Sequence, residues 1–227
     1  MTMSEPERTL ARRQRRIESA AIAGVVYAVL AGVSLFLLNE VIPAPSSTEQ
    51  EWSDWIGDAG NRRLLLLALN LTSISSVAFL WFVAVIRRRL GDREDRFFGT
   101  VFLGSALVYV GLWIVSISML AAPAVLYTFD DSRPLDWEAY RLAEGMAAGI
   151  LLVTAPRIQA VFIASSSTMF LRTGVMPNWL AYMGYAIALA MFVVPIVTTP
   201  LGIGLPLFVM VASVTILVIR ANPETQH

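Results

Sequence analysis

RRLLLLALNLTSISSVAFLWFVAVIRRR, residues 62–89, decides the fold. Between the two arginine clusters lie 23 consecutive uncharged residues, Leu64 to Ile86. A helix needs about 20 mainly apolar residues to cross a ~30 Å hydrocarbon core. A surface helix of a soluble protein would carry charge on one face at i, i+3, i+4 spacing, and this stretch carries none.

Working outward, five further runs share the pattern. Together they predict an all-α, polytopic transmembrane helical bundle of six spans, at about 19–39, 64–86, 97–122, 142–171, 179–198 and 203–219. The remaining pieces are a basic tail over 1–18 and two outer loops, 40–63 and 123–141, neither long enough for a folded domain, so residues 1–227 read as one transmembrane domain. The breakers Pro43, Pro45 and Pro123 close the first and third runs. Asp136 reads as an N-cap to the fourth, with Glu138 in its first turn.

Composition agrees. Hydrophobic residues make up 56% and charged residues 15% of the chain, against roughly a quarter charged in soluble domains. All 17 basic residues are Arg, Cys is absent, and the single His is His227. That removes disulfides, thiolate chemistry, Cys/His metal sites and His-ligated haem, so neither cofactor nor metal is expected. A net charge of zero gives no footprint for nucleic acid.

Arginine placement predicts the threading. With the N-terminus inside, the cytoplasmic segments hold 12 Arg and seven acids, and the outer segments four Arg and nine acids. Six spans return the C-terminus to the cytoplasm. The aromatics Trp52, Trp55, Tyr127, Phe129, Trp137 and Tyr140 fall at the outer interface, and Trp81, Phe97, Phe98 and Trp179 at the inner one. The first run is too long for a signal-peptide core and is expected to remain as an uncleaved helix. The expected location is the plasma (inner) membrane.

Two charges fall inside a proposed span, Glu144 and Arg157, both in the fourth. Charge in hydrocarbon is costly and marks function more often than surface charge does. Glu144 lies three residues after Arg141, where an interfacial ion pair competes with a proton- or cation-linked role. Thirteen residues separate Glu144 from Arg157, roughly 20 Å of rise on opposite sides of a helix, so these two cannot pair. Arg157 therefore needs another partner: Glu40, Asn70, a backbone carbonyl, a lipid phosphate or water. Pro156 removes one backbone donor and leaves a carbonyl near residue 152 unpaired, so a kink there is expected. Either a polar cavity forms at the kink, or Arg157 is structural, snorkelling or bonding neighbouring helices. The fourth run is also long enough to be two half-helices.

Asn70, Thr72, Ser73, Ser75 and Ser76, and again Ser165 to Thr168, read as packing contacts first and as a solute path second. No base stands beside them for nucleophilic chemistry. The small-residue series Ala20, Gly24, Ala28, Gly32, then Gly145 with Gly149, then Gly184 with Ala188, predict close helix approach within one chain or across a dimer. Arg12, Arg13, Arg15 and Arg16, with Arg87, Arg88 and Arg89, set topology and suit anionic headgroups.

The Tyr140-Arg141-Leu142-Ala143-Glu144 opening of the fourth span and Met176-Pro177-Asn178-Trp179-Leu180 before the fifth, followed by Gly184, carry a resemblance. Over residues 60–195 the chain resembles a group of bacterial six-span integral membrane proteins of unknown function, in which an Arg-x-x-Glu helix start and a Pro-x-Trp-Leu segment recur. The resemblance implies six spans and supplies no activity. The expectation is a non-enzymatic multi-pass protein acting through membrane lipids, its own copies or a partner membrane protein; the alternative is a small permease with Arg157, Glu144 and Asn70 on a polar path.

Overall fold

A computed structural model describes residues 5–43, 46–90, 96–129, 136–193 and 203–221, with side chains described throughout except at 5–20, 89–90, 96 and 219–221. The described chain is helical, without a strand. In order come α1 (Glu5–Val41), α2 (Glu49–Gly57), α3 (Ala59–Leu90), α4 (Arg96–Phe129), α5 (Trp137–Ala148), a π-helical turn (Gly149–Thr154), α6 (Ala155–Thr173), α7 (Asn178–Val193) and α8 (Gly204–Ala221). Four apolar helical stretches are long enough to cross a membrane: Ala21–Val41, Ala59–Arg88, Phe97–Phe129 and Trp137–Thr173. The apolar helices α7 and α8 are shorter within the described residues.

α1 packs along α3 and α8, α4 lies between α3 and α6, and α6 carries α7 on its far side. The core is built around rings from four helices. Phe79 of α3 sits 4.8 Å from the Tyr27 ring of α1, 5.6 Å from Tyr109 of α4 and 5.2 Å from Phe162 of α6. Phe102 of α4 stacks on Phe162 at 4.8 Å. Such tilted and offset arrangements suit aromatic quadrupoles. The outside is apolar as well. Phe36, Val77, Trp81, Leu107, Leu189 and Val218 are all more than half exposed. So many exposed large apolar side chains on a packed helical bundle fit a membrane-embedded protein.

Close approach uses two of the expected small-residue sites. A Cβ on Gly24 would collide with Ser213 Oγ and come within 2.8 Å of the Phe82 ring, so α1 meets α8 and α3 there. A Cβ on Gly184 would collide with Ser167 Oγ and stand 2.8 Å from Phe208. Gly32, Gly145 and Gly149, by contrast, have open space beside them.

The loops contain more helix than the sequence pattern predicts. The backbone of the basic tail is helical from Glu5. Within the expected loop 40–63, α2 is fixed by a reciprocal capping box: Glu51 N–H donates to Thr48 Oγ1 (3.3 Å) and Thr48 N–H to Glu51 Oε2 (2.8 Å). Arg62 then donates to the terminal carbonyls of Ile56 (2.6 Å) and Gly57 (2.7 Å), closing α2 onto α3. α4 does not stop at Pro123 but runs to Phe129. A proline costs one helical bond and a steric adjustment, and a helix packed against neighbours absorbs both. Asp136 does stand at the N-cap of α5, but its side chain makes no capping bond.

The fourth run is one continuous helical path through Pro156. The ladder widens before the proline: Ala155 N–H reaches back five residues to Ile150 O. This π-type turn makes room for the proline ring, a common device where an α-helix must take in an irregularity. Gly174, at φ 63°, ends α6 in the left-handed conformation that glycine adopts without strain, its N–H bonding Phe170 O at 3.0 Å.

Candidate functional site

The four polar residues singled out from sequence do not meet. Arg157 lies exposed on the outer surface of the bundle and its Nη1 donates to Val153 O on its own helix. That carbonyl belongs to the widened turn, so the arginine satisfies an acceptor in the segment that Pro156 disturbs. Asn70 is exposed and donates from Nδ2 to Leu66 O at 2.8 Å, again within one helix. Glu40 is exposed at the end of α1. Glu144 accepts from Arg141 Nη1 at 2.8 Å, the i,i+3 pair anticipated from their spacing. No hydrogen bond or ion pair joins Arg157, Glu144, Asn70 or Glu40 to one another. Of the basic residues, Arg87 and Arg88 are exposed at the end of α3, while the side chains of Arg12, Arg13, Arg15, Arg16 and Arg89 lie outside the described residues.

The Arg141–Glu144 pair belongs to an aromatic cap. The Arg141 guanidinium stands 5.6 Å over Trp137, and Trp52 of α2 packs 5.8 Å from Trp137 and 5.0 Å from Tyr140. Arg62 lies 4.8 Å over Tyr127. Ring contacts of Trp52 thus tie α2 to α5, and the Arg62 contact ties α3 to α4. At the other end, Arg172 sits 4.6 Å over Phe98.

The hydroxyl clusters mostly serve their own helices. Ser75 and Ser76 donate to Thr72 O, Ser165 and Ser166 to Phe162 O, and Ser167 to Ile163 O, at 2.7–2.9 Å. Two clusters also reach across: Ser34 and Thr72 share a 2.8 Å bond between α1 and α3, and Thr168 and Tyr185 a 2.6 Å bond between α6 and α7.

The chain matches no family model, no curated protein and no solved structure.

The bundle does hold a polar centre, at residues the sequence reading passed over. Tyr27 OH and Tyr109 OH lie 3.2 Å apart, both fully enclosed, and Gln159 of α6 is buried in the same interior. Gln159 Oε1 and Trp113 Nε1 are buried without a hydrogen-bond partner among the described residues. An unpartnered buried polar atom costs about 1–3 kcal/mol. The signal was present in the sequence: a tyrosine in each of two apolar runs and one glutamine two residues after Arg157. Attention to formal charge alone missed them. Among the described residues, no three His, Cys, Asp or Glu side chains converge in a group that could hold a metal.

Proposed function

We propose that this chain is a non-enzymatic, multi-pass membrane protein that acts by packing against other membrane components, through lipids and protein partners. In this reading α7 and α8 complete six spans, with both termini cytoplasmic in a bacterial plasma membrane. The arginine distribution and the resemblance of residues 60–195 support it.

One observation carries the functional part. A guanidinium near the centre of the helical stretch Trp137–Thr173 is held on the bundle's outside, while the interior is filled by interlocking rings. Proteins that conduct or transform solutes keep intramembrane charge facing the bundle interior or a water-filled cavity. Charge kept on the exterior serves whatever lies beside the protein. A permease with Arg157 on its path draws no support from that placement.

The test is a photoreactive amino acid placed at Met146, which is about half exposed on α5. Irradiation in native membranes is expected to give a discrete protein adduct of higher mass. Adducts to lipid alone, at Met146 and at Leu142, would remove protein partners from the reading.

A further inference from the structure

The outward face of α5, the π turn and α6 is apolar and unpartnered until it reaches one charge. Leu142 and Met146 are more than half exposed, Val153 nearly so, and Gly145 and Gly149 have no neighbour within 4 Å of a notional Cβ. Spacings of three and four residues put them on one side of the helix. Arg157 extends that side.

Depth makes the charge informative. Arg157 stands 20 residues after Trp137 and 16 before Thr173, ~30 Å and ~24 Å of helix. Five residues on from Arg157, Phe162 packs against Phe79 and Phe102 in the core of the bundle. The guanidinium is permanently charged and carries five N–H donors. The chain provides Val153 O as acceptor, and no carboxylate among the described residues pairs with Arg157. A charge of this kind in hydrocarbon is paired or hydrated.

Resting on the reading above, we propose that this face seats a transmembrane helix of a partner protein carrying an aspartate or glutamate at mid-depth, opposite Arg157. The open Gly145 and Gly149 positions let that helix approach closely, and Arg157 selects it by charge complementarity. A second copy is the wrong occupant. In a parallel two-fold dimer across this face, Arg157 would confront its own symmetry mate, a like-charge contact at low dielectric. The one carboxylate inside a proposed span of this chain, Glu144, is already held by Arg141.

The experiment uses purified full-length protein, labelled at Asn178→Cys, in vesicles of neutral phosphatidylcholine. The chain has no cysteine of its own. The probes are synthetic leucine–alanine spans with a Gly-x-x-x-Gly face and a central Asp, Leu or Arg. Energy transfer should reach half-maximum for the Asp peptide at about one tenth of the peptide-to-lipid ratio that the Leu peptide needs. Arg157→Gln should remove the difference, and Arg157→Glu should transfer the preference to the Arg peptide. Because the comparison of the three peptides needs no substitution at Arg157, a misfolded Arg157 variant cannot obscure the answer. Equal binding of all three peptides overturns the proposal. So does energy transfer between protein copies without peptide preference, or loss of the preference when phosphatidylglycerol is added, which would assign Arg157 to a headgroup. A protein adduct at Met146 together with equal peptide binding would retain the functional reading and remove only the carboxylate.

Discussion

Tyr109 shows how much one hydroxyl organises. It shares a bond with Tyr27 of α1 inside the bundle. Tyr109→Phe keeps the ring packing against Phe79 and Trp113 but leaves the buried Tyr27 hydroxyl without its shared bond. We expect it to destabilise the protein by about 1–3 kcal/mol in a denaturing-detergent titration. Tyr27→Phe should cost less when introduced into Tyr109→Phe than into wild type, because the shared bond is then already gone. At this scale the sequence was partly legible. The Arg141–Glu144 pair followed from an i,i+3 spacing alone, since partners on one helix are set by local geometry. The Tyr27–Tyr109 contact joins residues 82 apart and depends on how α1 and α4 are laid against each other, which periodicity does not encode.

At the scale of elements, small residues divide into two kinds that the sequence shows identically. Gly24 and Gly184 are pressed against neighbouring helices, whereas Gly145 and Gly149 face outward into open space. A direct comparison follows. Gly24→Val should lower stability by about 1–3 kcal/mol through overpacking, and Gly145→Val should leave the isolated protein close to wild type. The same detergent titration reads both; equal losses would contradict the packing described. Helix boundaries divide in a similar way. The start of α5 lies where Asp136 suggested. Pro123 misled because a breaker acts on one hydrogen bond, and packing decides whether the helix survives the loss. The capping box at Thr48 and Glu51 was readable from its spacing and passed over beneath the strong apolar signal on either side.

For the whole molecule, the threading is the consequence most open to measurement. Single cysteines report side without background in a chain that has none. On the six-span reading, Ser53→Cys and Thr199→Cys should react with a membrane-impermeant maleimide in intact cells. Asn178→Cys and Arg88→Cys should react only after permeabilisation. Protection of Thr199→Cys in intact cells, with Ser53→Cys still labelled, would reduce the protein to the four long spans and leave α7 and α8 as a hairpin that does not cross.

The π turn ahead of Pro156 also bears on how the chain tolerates changes in length. A turn that bonds five residues back holds one residue more than an α-helical turn between the same two ends. Removing that residue need not displace either half of the path, because the helix can close to its ordinary pitch at the site of the loss. Deleting Leu152 in a Pro156→Ala background should therefore preserve folding, with α5 and α6 keeping their present neighbours. Deleting Ile163, inside the regular ladder of α6, would rotate all that follows by about 100° and take Ser167 away from Gly184. The first deletion should yield folded protein on gel filtration in mild detergent, and the second aggregate. On this account the widened turn is a spare register position, at which the chain can be shortened by one residue without re-laying the bundle.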